Sequence, residues 1–423
     1  MREMKDSGIE WIGEIPVDWK VIKNKYLLSL LYSGGTPSVS NNEFYCFEGG
    51  IPFVSISDMS TIDYVLSTQK RLTNSGIKDK NLKVLPHGTI LYSIYATVGA
   101  VSELKIEAAI SQAMLALQVN SKVDKSFYKY NLAAMKDYIF SNTNGNTQFN
   151  LNAEKVKNFY FVLPDIETQQ RIADYLDRKC SQIDAIIARQ QEVIEKLKAY
   201  KLSVITEAVT KGLNPDVPMK DSGVEWIGEI PEDWEVMKFG RCATIKSNLV
   251  APNDYADYPQ ISPDSIEKNS GRILEYKTVK ESGVISWNHL FFKGQIIYSK
   301  IRPMLNKVAI APFDGLCSAD MYPIETNNNT QFLVYMMLSD YFTSQVGLVT
   351  ENRVKMPKIN QNELGAIMVT IPSQSEQETI SKYLLEKCSS IDAVIDKKQS
   401  LIGKLIDYKK SLIYEVVTGK KEV

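Results

Sequence analysis

The sequence predicts an α+β protein: two mixed α/β domains separated by an antiparallel coiled coil of two long helices, with a pseudo-twofold internal repeat. Three observations lead there. The opening twenty-residue stretch returns in the middle of the chain, a fifty-residue helical stretch occurs twice, and the segments between these matched ends have diverged.

The repeat is the first thing to weigh, because a chain that copies itself is organised by the copy. Residues 4–23, MKDSGIEWIGEIPVDWKVIK, return as MKDSGVEWIGEIPEDWEVMK at 219–238, with sixteen of twenty positions identical. Residues 163–212 align without gaps on 371–420 and share Tyr-Leu-x-x-Lys-Cys-Ser-x-Ile-Asp-Ala. Between these ends only fragments recur, such as Gly88-Thr89-Ile90-Leu91-Tyr92-Ser93 against Gly294-Gln295-Ile296-Ile297-Tyr298-Ser299. Even drift after duplication would spread the differences along the chain. Their concentration in the middles marks shared scaffold at the ends and variable payload between.

The matched fifty-residue stretches read as helices. No proline occurs between Pro164 and Pro215, and no glycine before Gly212. Apolar residues recur at spacings of four and three, broken once by a polar residue. The first seam is Leu176, Cys180, Ile183, Ile187, Gln190, Ile194 and Leu197, and the second is Leu384, Cys388, Ile391, Ile395, Lys398, Ile402 and Leu405. This is a heptad seam. Gly403 interrupts the second copy away from the seam. Antiparallel pairing suits the chain order and, centred on the polar breaks, brings Gln190 to Lys398. A polar residue on a seam costs stability but fixes register.

The domain division follows: residues 1–162 form the first domain, 163–212 the first helix, 213–218 a linker, 219–370 the second domain and 371–423 the second helix. Ile51–Ile56, Thr89–Ser93, Phe159–Leu163 and Val308–Ala311 read as strands, being short, apolar and rich in β-branched or aromatic residues. Gly34-Gly35-Thr36-Pro37-Ser38 reads as a turn. Lys129–Phe140 and Gln331–Gln345 read as short helices.

Composition excludes several classes. No apolar run reaches the roughly 18 residues of a membrane span, and the start, MREMKDSGIEW, lacks a signal peptide's apolar stretch. The five cysteines include no C-x-x-C pair, so a reducing cytoplasm is the expected location. Two histidines argue against a histidine-rich metal site. The net charge of −1 neither supports nor excludes nucleic acid; a DNA binder of this composition must gather its positive charge on one face.

Catalytic patterns are missing. No phosphate-cradling G-x-x-x-x-G-K-[ST] loop occurs, nor a glycine pair following a strand as in nucleotide or S-adenosylmethionine sites. Pro263-Asp264 with Glu275-Tyr276-Lys277 matches a loose nuclease pattern whose carboxylates bind Mg²⁺. The first half has no matching Glu-x-Lys, and Asp264 aligns on Asp58, so a strand-end turn is the simpler reading.

Gly13-Glu14-Ile15-Pro16…Trp19, its twin Gly228-Glu229-Ile230-Pro231…Trp234, Gly34-Gly35-Thr36-Pro37, and the Pro-x-x-x-x-Gln…Ile-x-x-Tyr-Leu helix openings at Pro164 and Pro372 together resemble the specificity subunits of type I restriction–modification systems. The resemblance runs over essentially the whole chain. It implies two target recognition domains, each reading one half of an asymmetric, bipartite DNA site. The helices would set the gap between the halves and dock methyltransferase subunits. Those partners would carry S-adenosylmethionine and methylate adenine, while a motor–nuclease subunit would use ATP and Mg²⁺. This chain itself would hold no cofactor or metal and catalyse nothing.

DNA readers need Arg, Lys, Asn, Gln or aromatic side chains at bases and phosphates. Lys300, Arg302, Asn306 and Lys307 are the leading candidates in the second domain, with three basic residues in eight and no acid. Arg353, Lys355 and Lys358 follow. In the first domain the candidates are Tyr92, Tyr95 and Thr97, with Gln148, Asn150 and Lys155. Two rival readings stay open at this point: a self-contained modification–restriction enzyme, and a coiled-coil adaptor that binds only proteins.

Overall fold

The computed structural model describes residues 2–59, 64–141, 151–351, 353 and 357–423. Compactness divides the chain into two units, Met1–Arg189 with Leu401–Val423, and Gln190–Ser400. Each unit holds one globular lobe and one end of each long helix. Among the described residues no helix is long and apolar enough to cross a membrane.

The first unit opens on a hairpin of Met4–Asp6 with Glu14–Pro16. Lys20–Lys23 then pairs antiparallel with Tyr160–Leu163, so the lobe closes on itself just before the long helix begins. Inside the lobe a five-stranded sheet runs Leu28–Ser33, Met114–Val119, Ile90–Ser93, Val101–Leu104, Tyr64–Val65. A four-stranded sheet runs Ala109–Ile110, Ile51–Val54, Lys70–Leu72, Tyr45–Cys46 and contains a parallel pair, Ile110 opposite Val54.

The second unit repeats this plan. Its hairpin is Met219–Asp221 with Glu229–Pro231, and Glu235–Lys238 pairs with Met368–Ile371. One sheet runs Ala243–Ile245, Met321–Thr326, Ile296–Ser299, Val308–Ile310. The other runs Leu249–Val250, Asn288–Phe291, Gly315–Ser318, Pro259–Ile261, Lys277–Thr278, again with a parallel pair, Ile261 opposite Cys317. The strands Leu249–Val250 and Asn288–Phe291 are an addition: on the corresponding side of Ala109–Ile110 the first unit's sheet ends.

Two expected helices each resolve into a pair. Lys125–Ala134 is followed by Lys136–Ser141, and Thr330–Leu338 by Asp340–Thr350. The second break sits at Ser339, whose extended backbone ends one helix while its hydroxyl donates to Met336 O.

The long helices are Ile166–Lys211, 46 residues, and Gln374–Val417, 44 residues. At about 1.5 Å per residue they are roughly 69 and 66 Å long. Asp165 caps the first, accepting from Thr168 N and Thr168 Oγ1, and these bonds hold its carboxyl below its ordinary pKa. The recurrent glutamine of the helix openings has a definite task. Gln169 Nε2 donates to Pro164 O, and its Oε1 accepts from Asp124 N at the cap of helix Lys125–Ala134. Gln377 does the same with Pro372 O and Asn329 N in the second unit. Both side chains are buried, so each lobe is locked to the first turn of its helix by satisfied polar groups.

The twenty-residue repeat packs against the far end of the other helix. In the first unit a Cβ on Gly419 would lie 2.5 Å from Pro16 and 2.9 Å from Trp19. In the second, Gly212 faces Trp234 at 3.4 Å, and Trp234 Nε1 donates to Glu376. Both glycines have φ above +70° and both tryptophans are buried.

The seam residues Leu176, Cys180 and Ile183 are buried in the first unit together with Leu412, Ile413, Val416 and Val417; Ile187 and Leu405 pack against that core, and Ile402 is half-buried. In the second unit Leu384 and Cys388 join Val204, Ile205, Ala208 and Val209. Ile194, Ile391 and Ile395 are buried and Leu197 half-buried. Here Lys398 Nζ donates to Gln190 Oε1 at 2.8 Å, and Lys201 pairs with Asp392 at 2.7 Å. The first helix advances from Gln190 to Lys201 while its partner recedes from Lys398 to Asp392, so the helices run antiparallel. The first unit contains the counterpart ion pair, Lys409 with Asp184 at 2.7 Å. Asp184 corresponds to Asp392 in the repeat, and Lys201 to Lys409.

These pairs differ in burial: the Lys201 side chain is 7% exposed and that of Lys409 28%. Lys201→Ala is expected to cost about 2–3 kcal/mol by leaving Asp392 unpaired, and Lys409→Ala about 1 kcal/mol or less. Gly403 is exposed in mid-helix, and a Cβ there would meet nothing within 4 Å. Gly403→Ala is expected to stabilise by about 0.5–1 kcal/mol. Denaturant unfolding of the three variants checks all three values.

Candidate nucleic-acid interface

Both units turn a tight loop at the same place. In the second, Ile296–Ser299 leads into residues 300–307 and returns as Val308–Ile310. Ser299 N donates to Lys307 O, closing the loop, and Ser299 Oγ donates to Ile301 O at 3.1 Å. Arg302 and Asn306 both take left-handed backbone, at φ 45° and 42°. In the first unit, Ile90–Ser93 leads into residues 94–100. Ser93 N donates to Ala100 O, Ser93 Oγ to Tyr95 O at 2.9 Å, and Ala96 has φ 59°. Ala96 and Arg302 stand three residues beyond equivalent serines. A left-handed non-glycine residue costs on the order of 1 kcal/mol or more, and such strain gathers at functional sites.

The second loop is backed by another stretch of chain. Arg302 N donates to Pro357 O, Ile359 N donates to Lys300 O, and Ile301 forms a bridge with Lys358. The two basic clusters singled out in the sequence, around residues 300–307 and 353–358, are thus one surface. Its cations are held in different ways. Lys358 pairs with Asp320 at 3.1 Å, and Arg353 with Glu363 and with Lys358 O. Lys300 Nζ stands 5.3 Å from the Tyr322 ring centroid. Lys307 Nζ donates to Pro263 O at 2.7 Å and lies 3.5 Å from Asp264. Arg302 is exposed, and among the described residues its guanidinium has no hydrogen-bond or ion-pair partner. Of the candidates it is the best placed to bind a phosphate or a base edge. Lys355 lies outside the described residues.

Two candidates are corrected. Asn306 is buried, and its amide donates to Met337 O and Thr343 Oγ1, so it props the loop from within. Tyr92 is fully buried against Phe159, and burial raises its hydroxyl's pKa; it is a core residue like its counterpart Tyr298. Both tyrosines lie on strands that are buried on both faces, Ile90–Ser93 and Ile296–Ser299. Tyr95 is exposed, while Thr97 is half-buried with its hydroxyl 3.4 Å from Ser93 Oγ. Lys155 is exposed on the helix Ala153–Lys157; Gln148 and Asn150 lie outside the described residues.

The alignment of Asp264 on Asp58 shifts by one residue. Asp58 closes a capping box with Ser55, and the residue doing so with Ser262 is Ser265. Asp264 therefore matches Ser57, and its side chain is fully exposed. Among the described residues no group of three or more His, Cys, Asp or Glu is placed to hold a metal ion.

The glycine pair at 34–35 sits under the first loop's sheet. A Cβ on Gly34 would come within 2.2 Å of Ser111 O, so only glycine lets the strand Leu28–Ser33 end there. The sequence did not point to the feature that pins the hairpin's return strand. Glu103, on Val101–Leu104, is buried among Lys105, Lys125 and Lys129, at 2.9, 2.9 and 3.3 Å.

A family described as "Type I restriction modification DNA specificity domain" matches residues 16–196 and 231–400. The type I restriction enzyme EcoDI specificity subunit of Escherichia coli is 30% identical over 397 residues, covering 90% of this chain and 84% of that protein. The chain belongs to the type I restriction–modification specificity-subunit family. As a specificity subunit it is a non-catalytic member of such a system. The MjaIX specificity subunit of Methanocaldococcus jannaschii is 25% identical, over 79% of this chain and 78% of that protein. The fold is shared with a solved chain described under "Structural basis underlying complex assembly and conformational transition of the type I R-M system". That match has a TM-score of 0.68 at 13% identity, covering 96% of this chain and 99% of the other.

Glu103 yields a pH-dependent prediction. Burial acts to raise its pKa, but hydrogen bonds from Lys105 and Lys125 and the charge of Lys129 outweigh it and hold the carboxyl at about 2, below the ordinary 4.5. A depressed folded pKa stabilises above the unfolded value, and that contribution is lost as pH falls from about 4.5 towards 2. Glu103→Gln is expected to destabilise by about 2 kcal/mol at pH 7. Its deficit against the parent should shrink steadily in denaturant melts between pH 5 and pH 2.

Proposed function

We propose that this chain reads an asymmetric, bipartite DNA site, one half with each unit, and directs partner subunits to it. The observation that carries this is the pair of equivalent strained loops on an otherwise repeated scaffold. The second loop presents an arginine that has no partner among the described residues, amid basic residues, and the first an exposed tyrosine. Because the loops differ while their frames match, the two half-sites differ in sequence.

The partners in this reading are methyltransferase subunits, which carry S-adenosylmethionine and methylate adenine, and a motor–nuclease subunit using ATP and Mg²⁺. This chain supplies no cofactor, and it works in the cytoplasm. The helix pair offers the methyltransferase a docking surface. A cleft of about 1250 Å³ in the first unit, lined by Trp11, Tyr130, Asp184, Lys409 and Tyr414 among others, supports that assignment. The continuous helices, 46 and 44 residues long, also suit a fixed gap between half-sites better than a flexible linker would.

The direct test is a binding titration of the full chain against duplex DNA across salt concentrations. Affinity should depend on sequence, and its logarithm should fall linearly with the logarithm of salt concentration. Arg302→Ala should weaken binding by about 1–3 kcal/mol. Methylated adenines mapped in genomic DNA with and without the gene would give the site itself. Inserting four residues after Glu195 adds roughly 6 Å of helix. The mapped gap should then widen by a base pair or two while both half-sites stay unchanged; altered half-sites with an unaltered gap would contradict the ruler.

A further inference from the structure

The second unit's added strands bring an aromatic residue to the basic loop's end of the sheet. Trp287 immediately precedes the strand Asn288–Phe291 and is 60% exposed; Ile285, two residues earlier, is 90% exposed. Among the described residues the Trp287 indole has no hydrogen-bond, ring or cation partner. A large aromatic left in water has an unfavourable hydration cost that folding ordinarily removes.

Its setting is built from buried polar groups. Asn288 is 1% exposed, donates from Nδ2 to Ser286 O at 2.8 Å, and accepts from Gln260 Nε2 at 3.4 Å. The backbone on either side of Trp287 is therefore clamped from beneath, and the ring is presented on a fixed base. Sheet register places it beside the loop. Asn288 pairs with Ser318, and two residues past Ser318 is Asp320, whose backbone accepts from Lys300 N and whose carboxylate binds Lys358. Burial, and after it the charge of Lys300, holds the pKa of the adjoining His289 below its ordinary value.

We propose that Trp287 is a specificity-determining residue of the second unit, making apolar contact with base edges while Lys300, Arg302 and Lys358 engage the phosphates alongside. This deepens the DNA-reading proposal and rests on it. Charge selects the occupant: an exposed ring on a strand whose register leads to the Lys300 and Lys358 contacts of Asp320 suits a polyanion that also presents apolar edges, such as the thymine methyl in a groove. Among the described residues the first unit has no counterpart to this strand in its sheet, so only one half-site should feel the residue.

The test uses the full chain and duplexes randomised separately in each half of the mapped site. Trp287→Ala should lower affinity roughly tenfold and erase base preference at one or two positions of a single half-site, leaving the other half as before. Trp287→Phe should keep part of that preference, and Asn288→Ala should reproduce the loss by freeing the ring. Thermal melts of Trp287→Ala should match the parent, since the side chain is exposed. Unchanged affinity and base preferences in Trp287→Ala would overturn the inference while leaving the DNA reading standing. So would intact DNA recognition coupled with lost capture of methyltransferase subunits, which would make the ring a protein contact. A parent chain without sequence-dependent DNA affinity would sink the broader reading itself.

Discussion

Each long helix has to satisfy two hydrophobic cores at once. On Ile166–Lys211, Ile172, Leu176 and Cys180 complete the first unit's core, while Val204, Ile205 and Val209 complete the second's. The second helix does the same in reverse, with Ile380, Leu384 and Cys388 at one end and Leu412, Val416 and Val417 at the other. Neither helix can slide along its axis without breaking both cores. The buried glutamines and the glycine contacts under the tryptophans serve that requirement where a helix end meets a lobe, and the crossed Asp–Lys pairs serve it between the helices.

This explains why the ends of the repeat are alike and the middles are not. Gln169 and Gln377 each bond a proline carbonyl and a helix cap, and no other side chain of that length offers both a donor pair and an acceptor there. Gly212 and Gly419 meet tryptophan and proline rings. Such positions answer to packing and tolerate little change. The loops at 94–100 and 300–307 share a serine-closed frame and one left-handed residue, and beyond that they are free to differ.

The helices were legible because their signal is local: a sustained seven-residue period without proline, with Gln190 and Lys398 marking its centre. Sheet order was not legible, since the strands are two to six residues long and pair across wide gaps in sequence. Tyr92 illustrates the difficulty at the site. The strand Ile90–Ser93 is buried on both faces, between sheet neighbours far away in sequence, so neither alternation nor nearness to the loop marks Tyr92 as a core residue. Asn306 was chosen for its chemistry, but its left-handed backbone turns the amide inward. The ion pairs Asp184–Lys409 and Asp392–Lys201 flank the seam and appear in the sequence only as matched positions of opposite charge. Trp287 escaped notice because its exposure depends on two strands that only the second half adds.

The contact between Gln190 and Lys398 makes the two halves non-interchangeable. These positions correspond in the repeat, so in a symmetric ancestor with two equal halves each residue would have faced its own copy. Two ammonium groups in that half-buried place would repel, whereas an amide oxygen opposite an ammonium gains a charge-assisted bond. The two halves are therefore complementary at this equivalent position, and a second Lys398 half could not stand in for its sibling without bringing like charges together.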